Sequence, residues 1–233
     1  MSKRGIVVIP AYNESGSIKQ LADICKQYAE VCIINDCSTD GTGEIIEQIP
    51  GIKCIHHEKN THIPQAILDG MRYAVEQGYD YACTMDAGFS HDPHSISRFL
   101  DFEEADLVIG YRNRRINVPL KRRLLSWTAK VLVNFALNRS NKSGVNANFK
   151  DVTSGYRRYS LRAMQLLLNQ PIRSRSFDFH LEALMYIYRN GMKIRELPIA
   201  YSYTNTSLNR RVLKDALIFW FDMLIHYRSS MDL

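Results

Sequence analysis

The chain has 233 residues, 45% of them hydrophobic and 10% aromatic, and a formal net charge of +6. That apolar content is enough to bury a sizeable core in one domain and excludes an intrinsically disordered chain. No segment reaches the roughly 18 uninterrupted apolar residues of a bilayer span, and the run at Gly5–Pro10 is too short for a signal peptide, so a soluble or peripheral protein is expected.

Gly5 to Pro10 reads as an apolar strand, Ser17 to Tyr28 as an amphipathic helix, Val31 to Asn35 as a second strand and Thr42 to Gln48 as a short helix. Lys53 to His56 gives a third strand, Pro64 to Gln77 a helix stopped by Gly78, and the run from Tyr81 a fourth strand ending in Asp86. A helix from Pro93 to Phe102 and a strand from Asp106 to Gly110 follow. Such alternation predicts an α/β fold with a mostly parallel central sheet and helices on both faces.

Five cysteines (Cys25, Cys32, Cys37, Cys54, Cys83) make an odd number and form no C-x-x-C pair. Reduced, packed thiols in a cytoplasmic protein are expected, with no disulfide framework and no zinc site. The charge is uneven. Between Gly110 and Lys150 lie ten Lys/Arg and no acid, leaving 20 basic against 24 acidic residues elsewhere. An anionic partner at this segment is the reading: phosphate, an acidic glycan, an anionic membrane surface or nucleic acid.

In an open parallel sheet, ligands bind outside the carboxyl ends of the strands. The first strand is followed by P-A-Y-N-E-S-G-S, which lacks G-x-G-x-x-G, and no Walker lysine loop is present. Glu14, Asp36, Asp40 and Asp86 instead gather acids after the first, second and fourth strands. Carboxylates suit ribose hydroxyls or base N–H groups, and one can hold a divalent cation against phosphate.

I-P-A-Y-N-E (Ile9 to Glu14), N-D-C-S-T-D-G-T (Asn35 to Thr42), M-D-A-G-F-S-H-D-P (Met85 to Pro93), V-T-S-G-Y-R-R-Y (Val152 to Tyr159) and E-L-P-I (Glu196 to Ile199) occur in this order. Together they resemble the family 2 glycosyltransferases of GT-A fold, most closely the dolichol- or polyprenyl-phosphate sugar synthases. The resemblance implies an inverting enzyme that takes a sugar from a nucleotide-diphosphate sugar. It implies that Pro10, Ala11, Tyr12, Glu14 and Asp36 bind the nucleotide, and that Asp86 is the first carboxylate of a D-x-D element holding Mg or Mn. Asp151 falls where the family places an acid near the acceptor, as general base or acceptor-orienting group, and Arg112 joins it as a catalytic candidate.

The chain departs from the family at three places. Asn35-Asp36-Cys37-Ser38 stands for D-D-G-S, and D-A-G for D-A-D, so Gly88 offers no ligand and Ser90, His91, Asp92 and His180 are the available substitutes. Where the lipid-phosphate synthases carry R-x-x-G-x-S-K, Ser202 to Leu208 reads S-Y-T-N-T-S-L, with Arg210 and Arg211 following. His91 and His94 read as structural, since no third zinc ligand is near.

Pro119 to Asn138 opens with Lys121-Arg122-Arg123 and continues as a strongly apolar helix, and Val212 to Tyr227 is a second one. Each needs burial in the domain, in an oligomer contact or in a lipid interface. The expectation is one domain over 1–233, with a nucleotide-sugar half (1–110) and an acceptor half (111–233). Its acceptor is a polyprenyl phosphate or a saccharide, in cell-surface glycan synthesis, in the cytoplasm or peripherally at the membrane's cytoplasmic face. Nucleic acid is not expected, because the basic segment lacks a stacking platform or reading helix. The rival reading is a nucleotide-sugar-binding protein that lost turnover.

Overall fold

The computed structural model describes residues 3–102, 104–139 and 146–203, apart from the side chain of Lys121. The apolar runs of the first half become β1 (Gly5–Ala11), β2 (Glu30–Asn35), β3 (Lys53–His56) and β4 (Tyr81–Thr84), linked by α1 (Ile18–Cys25), α2 (Thr42–Glu47) and α3 (His62–Glu76). β1, β2 and β4 are buried along most of their length, as strands covered on both faces must be.

Two expected elements change form. The Pro93–Phe102 segment divides into a 3-10 turn at Pro93–Ser95, capped by the Asp92 carboxylate accepting from His94 N at 3.0 Å, and α4 (Ile96–Leu100). β5 (Leu107–Ile116) runs six residues past Gly110. Its basic outer half is held there by backbone pairing with β7 (Ile194–Ser202), which compensates for the lack of apolar patterning. α5 (Leu120–Arg139) matches expectation, while β6 (Arg157–Ser160), α6 (Leu161–Leu168) and α7 (Phe179–Arg189) complete the described chain. The expected helix at Val212–Tyr227 and the pair Arg210 and Arg211 lie outside the described residues.

The seven-stranded sheet has the order β3-β2-β1-β4-β6-β5-β7. β6 is antiparallel to both neighbours and all other pairs are parallel. Side-chain alternation sends Ile6, Val8, Cys32 and Ile34 into a core with α3, α5, α6 and α7. Val7, Ile9, Val31 and Ile33 enter a second core with α1 and α4 on the other face. All five cysteines are free, with Cys25, Cys32 and Cys83 buried. The chain adds β2 and β3 on one side of β1 and then returns to place β4 on the other. That reversal opens a crevice outside the carboxyl ends of β1 and β4.

Candidate active site

A cavity of about 820 Å³ occupies this crevice. Pro10, Ala11, Tyr12 and Glu14 reach it from the end of β1, Asp36 from β2, and Asp86, Gly88, Ser90 and His91 from the turn after β4. Arg112 of β5 and His180 of α7 line it as well, so the fold brings together the sequence-predicted site residues except Asp40, Asp92 and Asp151, the last of which stands behind Arg112. Asp40 turns away to accept from Ser15 N and Thr42 N, and joins the loops that follow β1 and β2. Asp92 is spent on its cap, and His94 hydrogen-bonds Tyr28 Oη at 2.8 Å, so His91 and His94 do not converge.

Asp36 is only 4% exposed. Burial pushes its carboxyl up, but donors from Thr61 N at 2.7 Å, Thr61 Oγ1, His57 Nδ1 and His62 N at 2.8 Å outweigh it and leave it below the usual carboxylate range. The carboxylate thus clamps the loop that opens α3 against the crevice. Beside it Cys37 takes φ 61, a left-handed conformation in which the family's glycine would be unstrained.

Asp86 keeps 42% of its side chain exposed. His91 Nδ1 approaches its Oδ2 at 3.7 Å yet has no hydrogen-bond partner, although His91 is buried and stacked on Tyr156. On the other side, a Cβ on Gly155 would lie 3.1 Å from Asp86 Oδ1 and 3.0 Å from His180 Nε2, so a side chain there would press on both groups. Burial lowers both imidazoles, His180 strongly and with help from Arg157, which keeps them neutral and able to ligate. Asp86 is the carboxylate at this cradle able to hold a divalent cation, with the neutral imidazoles of His91 and His180 on its two sides.

Another cluster, Glu47, Cys54 and His56, brings its groups within 4.8 Å of one another away from the cavity. There Asn35 Oδ1 accepts from Ser38 N, so its amide Nδ2 faces His56 Nδ1, and the imidazole proton sits on Nε2, donating to Glu47 at 2.6 Å. Burial pushes the Cys54 thiol up to about 12. This is a hydrogen-bonded chain of side chains satisfied by one another, which a cation would have to dismantle.

Arg112 meets Asp151 through two side-chain bonds, Nε to Oδ2 at 2.6 Å and Nη2 to Oδ1 at 2.7 Å, and its backbone N also donates to Oδ2. Burial opposes the Asp151 charge, but the Arg112 cation and its hydrogen bonds dominate and hold the carboxyl low. Glu196 of the E-L-P-I motif accepts from Lys150 N and Asp151 N and so fixes the turn carrying that carboxylate. Sequence reasoning missed Arg157, fully buried, whose guanidinium donates to the carbonyls of Ser154, Val152 and His180 and thereby ties β6 to the cradle. Its signal was a pair of charges between Tyr156 and Tyr159 inside a strand.

The same cavity is lined by Arg115, Arg122 and Arg175 and by apolar side chains, Ile63, Ala66 and Ile67 of α3, Leu125, Ala129 and Leu132 of α5, and Leu181 of α7. Arg115 is depressed by burial and by the Arg112 cation, as expected where cations crowd. The Arg122 guanidinium lies 4.6 Å from the centre of the Tyr203 ring, and its buried Nη2 has no hydrogen-bond partner. On the opposite side of α5, Leu120, Leu124, Trp127, Val131 and Phe135 are exposed. The apolar helix is therefore buried along one face only. No helix among the described residues is long and apolar enough to cross a membrane.

Three comparisons bear on this arrangement. The chain is similar to the undecaprenyl-phosphate mannosyltransferase of Micrococcus luteus, 29% identical over 211 residues that cover 85% of this chain and 83% of that one. It is similar to the polyprenol monophosphomannose synthase of Mycolicibacterium smegmatis, 28% identical over 216 residues, covering 86% and 78%. The fold resembles glucosyl-3-phosphoglycerate synthase of Mycobacterium tuberculosis, solved with Mn2+, uridine diphosphate and phosphoglyceric acid, with a TM-score of 0.70 at 16% identity over 97% of this chain and 79% of that one. Residues 6–164 match the profile of glycosyl transferase family 2. With that match spanning β1 to β6 and the loops that follow β1, β2 and β4, the chain belongs to glycosyl transferase family 2 and is a glycosyltransferase.

Proposed function

We propose that this enzyme transfers a sugar from a nucleotide-diphosphate sugar to the phosphate of a polyprenyl phosphate. The observation that carries the acceptor is that one cavity holds Asp86, the cations Arg112, Arg115 and Arg122, and apolar walls on α3, α5 and α7. Cations together with hydrocarbon in one cavity suit a phosphate that carries an isoprenoid chain. The two relatives named for polyprenyl-phosphate chemistry point the same way.

The half formed by 1–110 holds the donor, with Pro10, Ala11, Tyr12, Glu14 and Asp36 around the nucleoside, and the half formed by 111–233 holds the acceptor. Asp86 holds a divalent cation, Mg or Mn, with Ser90 and His180 as further donors; when bound it supplies positive charge to the departing diphosphate. The acceptor oxygen forms the new bond to the anomeric carbon as the bond to the diphosphate breaks on the opposite face, which inverts that centre. A phosphate monoester has its second pKa near about 6, so its oxygen attacks as an anion and needs no general base. The pairing of Asp151 with Arg112 agrees with this: the carboxylate orients the guanidinium toward the acceptor phosphate, whereas a saccharide hydroxyl would call for a free base.

The acceptor reaches the site from a lipid surface, met by the exposed apolar side of α5. The test is incubation with undecaprenyl and dolichyl phosphate and a panel of UDP- and GDP-sugars, followed by organic extraction of labelled sugar. Transfer to soluble glycans but not to either lipid would overturn the acceptor assignment. Binding of donor without turnover on any acceptor would favour the degenerate binding protein.

A further inference from the structure

The D-A-G sequence leaves Asp86 as the lone carboxylate of its turn, whereas a hard divalent cation prefers several oxygen ligands and a charge-neutral site. A Cβ built on Gly88 would meet one atom within 4 Å, the Oε2 of Glu14 at 3.8 Å. Glu14 therefore points its carboxylate toward the space that an aspartate at 88 would use, although it comes from the loop after β1. Ser17 Oγ donates to that oxygen at 3.0 Å and lies 3.3 Å from the Ala87 carbonyl, so the carboxylate is held beside the 86–88 turn. Among the described residues Glu14 makes no ion pair, and Asp86 has only the 3.7 Å approach of His91. That His91 Nδ1, in a residue 1% exposed and without a hydrogen-bond partner, is an independent mark of a missing ligand beside Asp86.

We infer that Glu14 is the second carboxylate of the cation site, standing in for the acid that Gly88 replaces. The inference rests on the donor-binding reading above and reassigns Glu14 within it from nucleoside to cation. Two carboxylates from different loops would then close around the cation, so its binding would pull the β1 and β4 loops together and couple donor binding to cation binding.

The test is titration of Mn2+, with free ion read by its electron paramagnetic resonance, in the presence of UDP and separately of GDP. Glu14→Gln should weaken Mn2+ binding by about 10-fold or more, with metal-free nucleotide affinity unchanged, and adding Gly88→Asp to that variant should restore it. Mn2+ binding by Glu14→Gln at wild-type affinity overturns the inference. So does loss of nucleotide affinity to the same extent with and without Mn2+, which returns Glu14 to the nucleoside. Should Glu14→Gln fail to fold, Gly88→Asp alone decides. A gain below about 3-fold supports a position already served by Glu14, and a gain of about 10-fold or more, the size of effect expected of a new ligand, overturns it. Wild-type protein that binds nucleotide with no response to Mn2+ overturns the cation site as a whole while leaving the donor pocket standing.

Discussion

Asp151→Asn separates an orienting carboxylate from a general base. The Arg112 side chain is 14% exposed and that of Asp151 3%, so the substitution leaves a buried guanidinium facing a neutral amide. Breaking a buried pair from one side costs about 3–5 kcal/mol. For a chain of this length each kcal/mol moves Tm by about 2–4 °C, so differential scanning calorimetry should find Tm lowered by about 6–20 °C. Arg112→Met with Asp151→Asn should recover most of the stability, because an apolar replacement removes the stranded charge, yet transfer should stay low because Arg112 no longer meets the acceptor. Since Arg112 holds the Asp151 carboxyl low, its contribution to stability is present above the ordinary carboxylate value and is lost only as pH falls through the depressed folded one. Between pH 5 and pH 8 the rate profile of Asp151→Asn should therefore keep the wild-type shape. Refutation would be a variant that loses under about 1 kcal/mol of stability while transfer falls about 10²-fold or more and a limb of the pH profile disappears, the behaviour of a base.

Asp86→Ala should abolish the Mn2+ dependence of nucleotide-sugar binding; calorimetric titration showing unchanged affinity and unchanged Mn2+ response would reduce Asp86 to a turn residue. Gly155→Ala inserts a methyl 3.0 Å from His180 Nε2 and 3.1 Å from Asp86 Oδ1, so it should weaken Mn2+ binding about 10-fold through displaced donors, and a normal affinity would show that these groups need not converge. Asp36→Asn removes a carboxyl held low by Thr61, His57 and His62, whose stabilisation is present above the ordinary value near about pH 4 and lost as pH falls through the folded one. The variant should be less stable at pH 7 and show a flatter acid limb in denaturant titrations; an acid limb identical to wild type would contradict the clamp.

The first half of the fold was legible because its signals are local. Short apolar runs ending in Asn35 or Asp86 sit between helices with clear stops such as Gly78, and a sheet covered on both faces makes each run continuous. β5 was cut short at Gly110 because its outer residues, including Arg112 and Arg115, are polar, and the pairing that keeps them extended comes from β7, over 80 positions later. β6 was unread for the same reason: Arg157 and Arg158 break the apolar run, and their burial depends on carbonyls of the 102–105 and 152–154 turns and of α7. The strand-end acids were visible as a set, but their division of labour was not. Asp40 joins the loops after β1 and β2 and Glu14 leans toward Gly88, distinctions that arise only once β1 lies beside β2 and β4.

The outer side of α5 bears on where the acceptor is met. Leu120, Leu124, Trp127, Val131 and Phe135 follow a spacing of three or four and are between 43% and 78% exposed, forming one apolar stripe along the helix. Arg114 and Arg123 are exposed, Arg123 in one surface groove with Leu120, Leu124 and Trp127, while Arg122 faces the cavity, so the basic run divides between an outward and an inward task. A helix lying in a lipid interface gains about 1.5–3 kcal/mol for each large apolar side chain it buries and about 1 kcal/mol for each cation near an anionic surface. The protein should co-sediment with phosphatidylglycerol vesicles at low salt and much less at physiological salt, since the screening length contracts from about 30 Å at 0.01 M to about 8 Å at 0.15 M. Leu124→Glu with Trp127→Glu should release it at both salts, and Arg114→Glu with Arg123→Glu should remove mainly the salt-sensitive part. Neither pair lines the main cavity, so affinity for nucleotide sugar should be retained in both. A wild-type protein that ignores the vesicles at low salt, yet sediments as a dimer that Trp127→Glu dissociates, would reassign the stripe to a contact between copies of the chain. The polyprenyl phosphate would then have to be delivered from solution or by another protein.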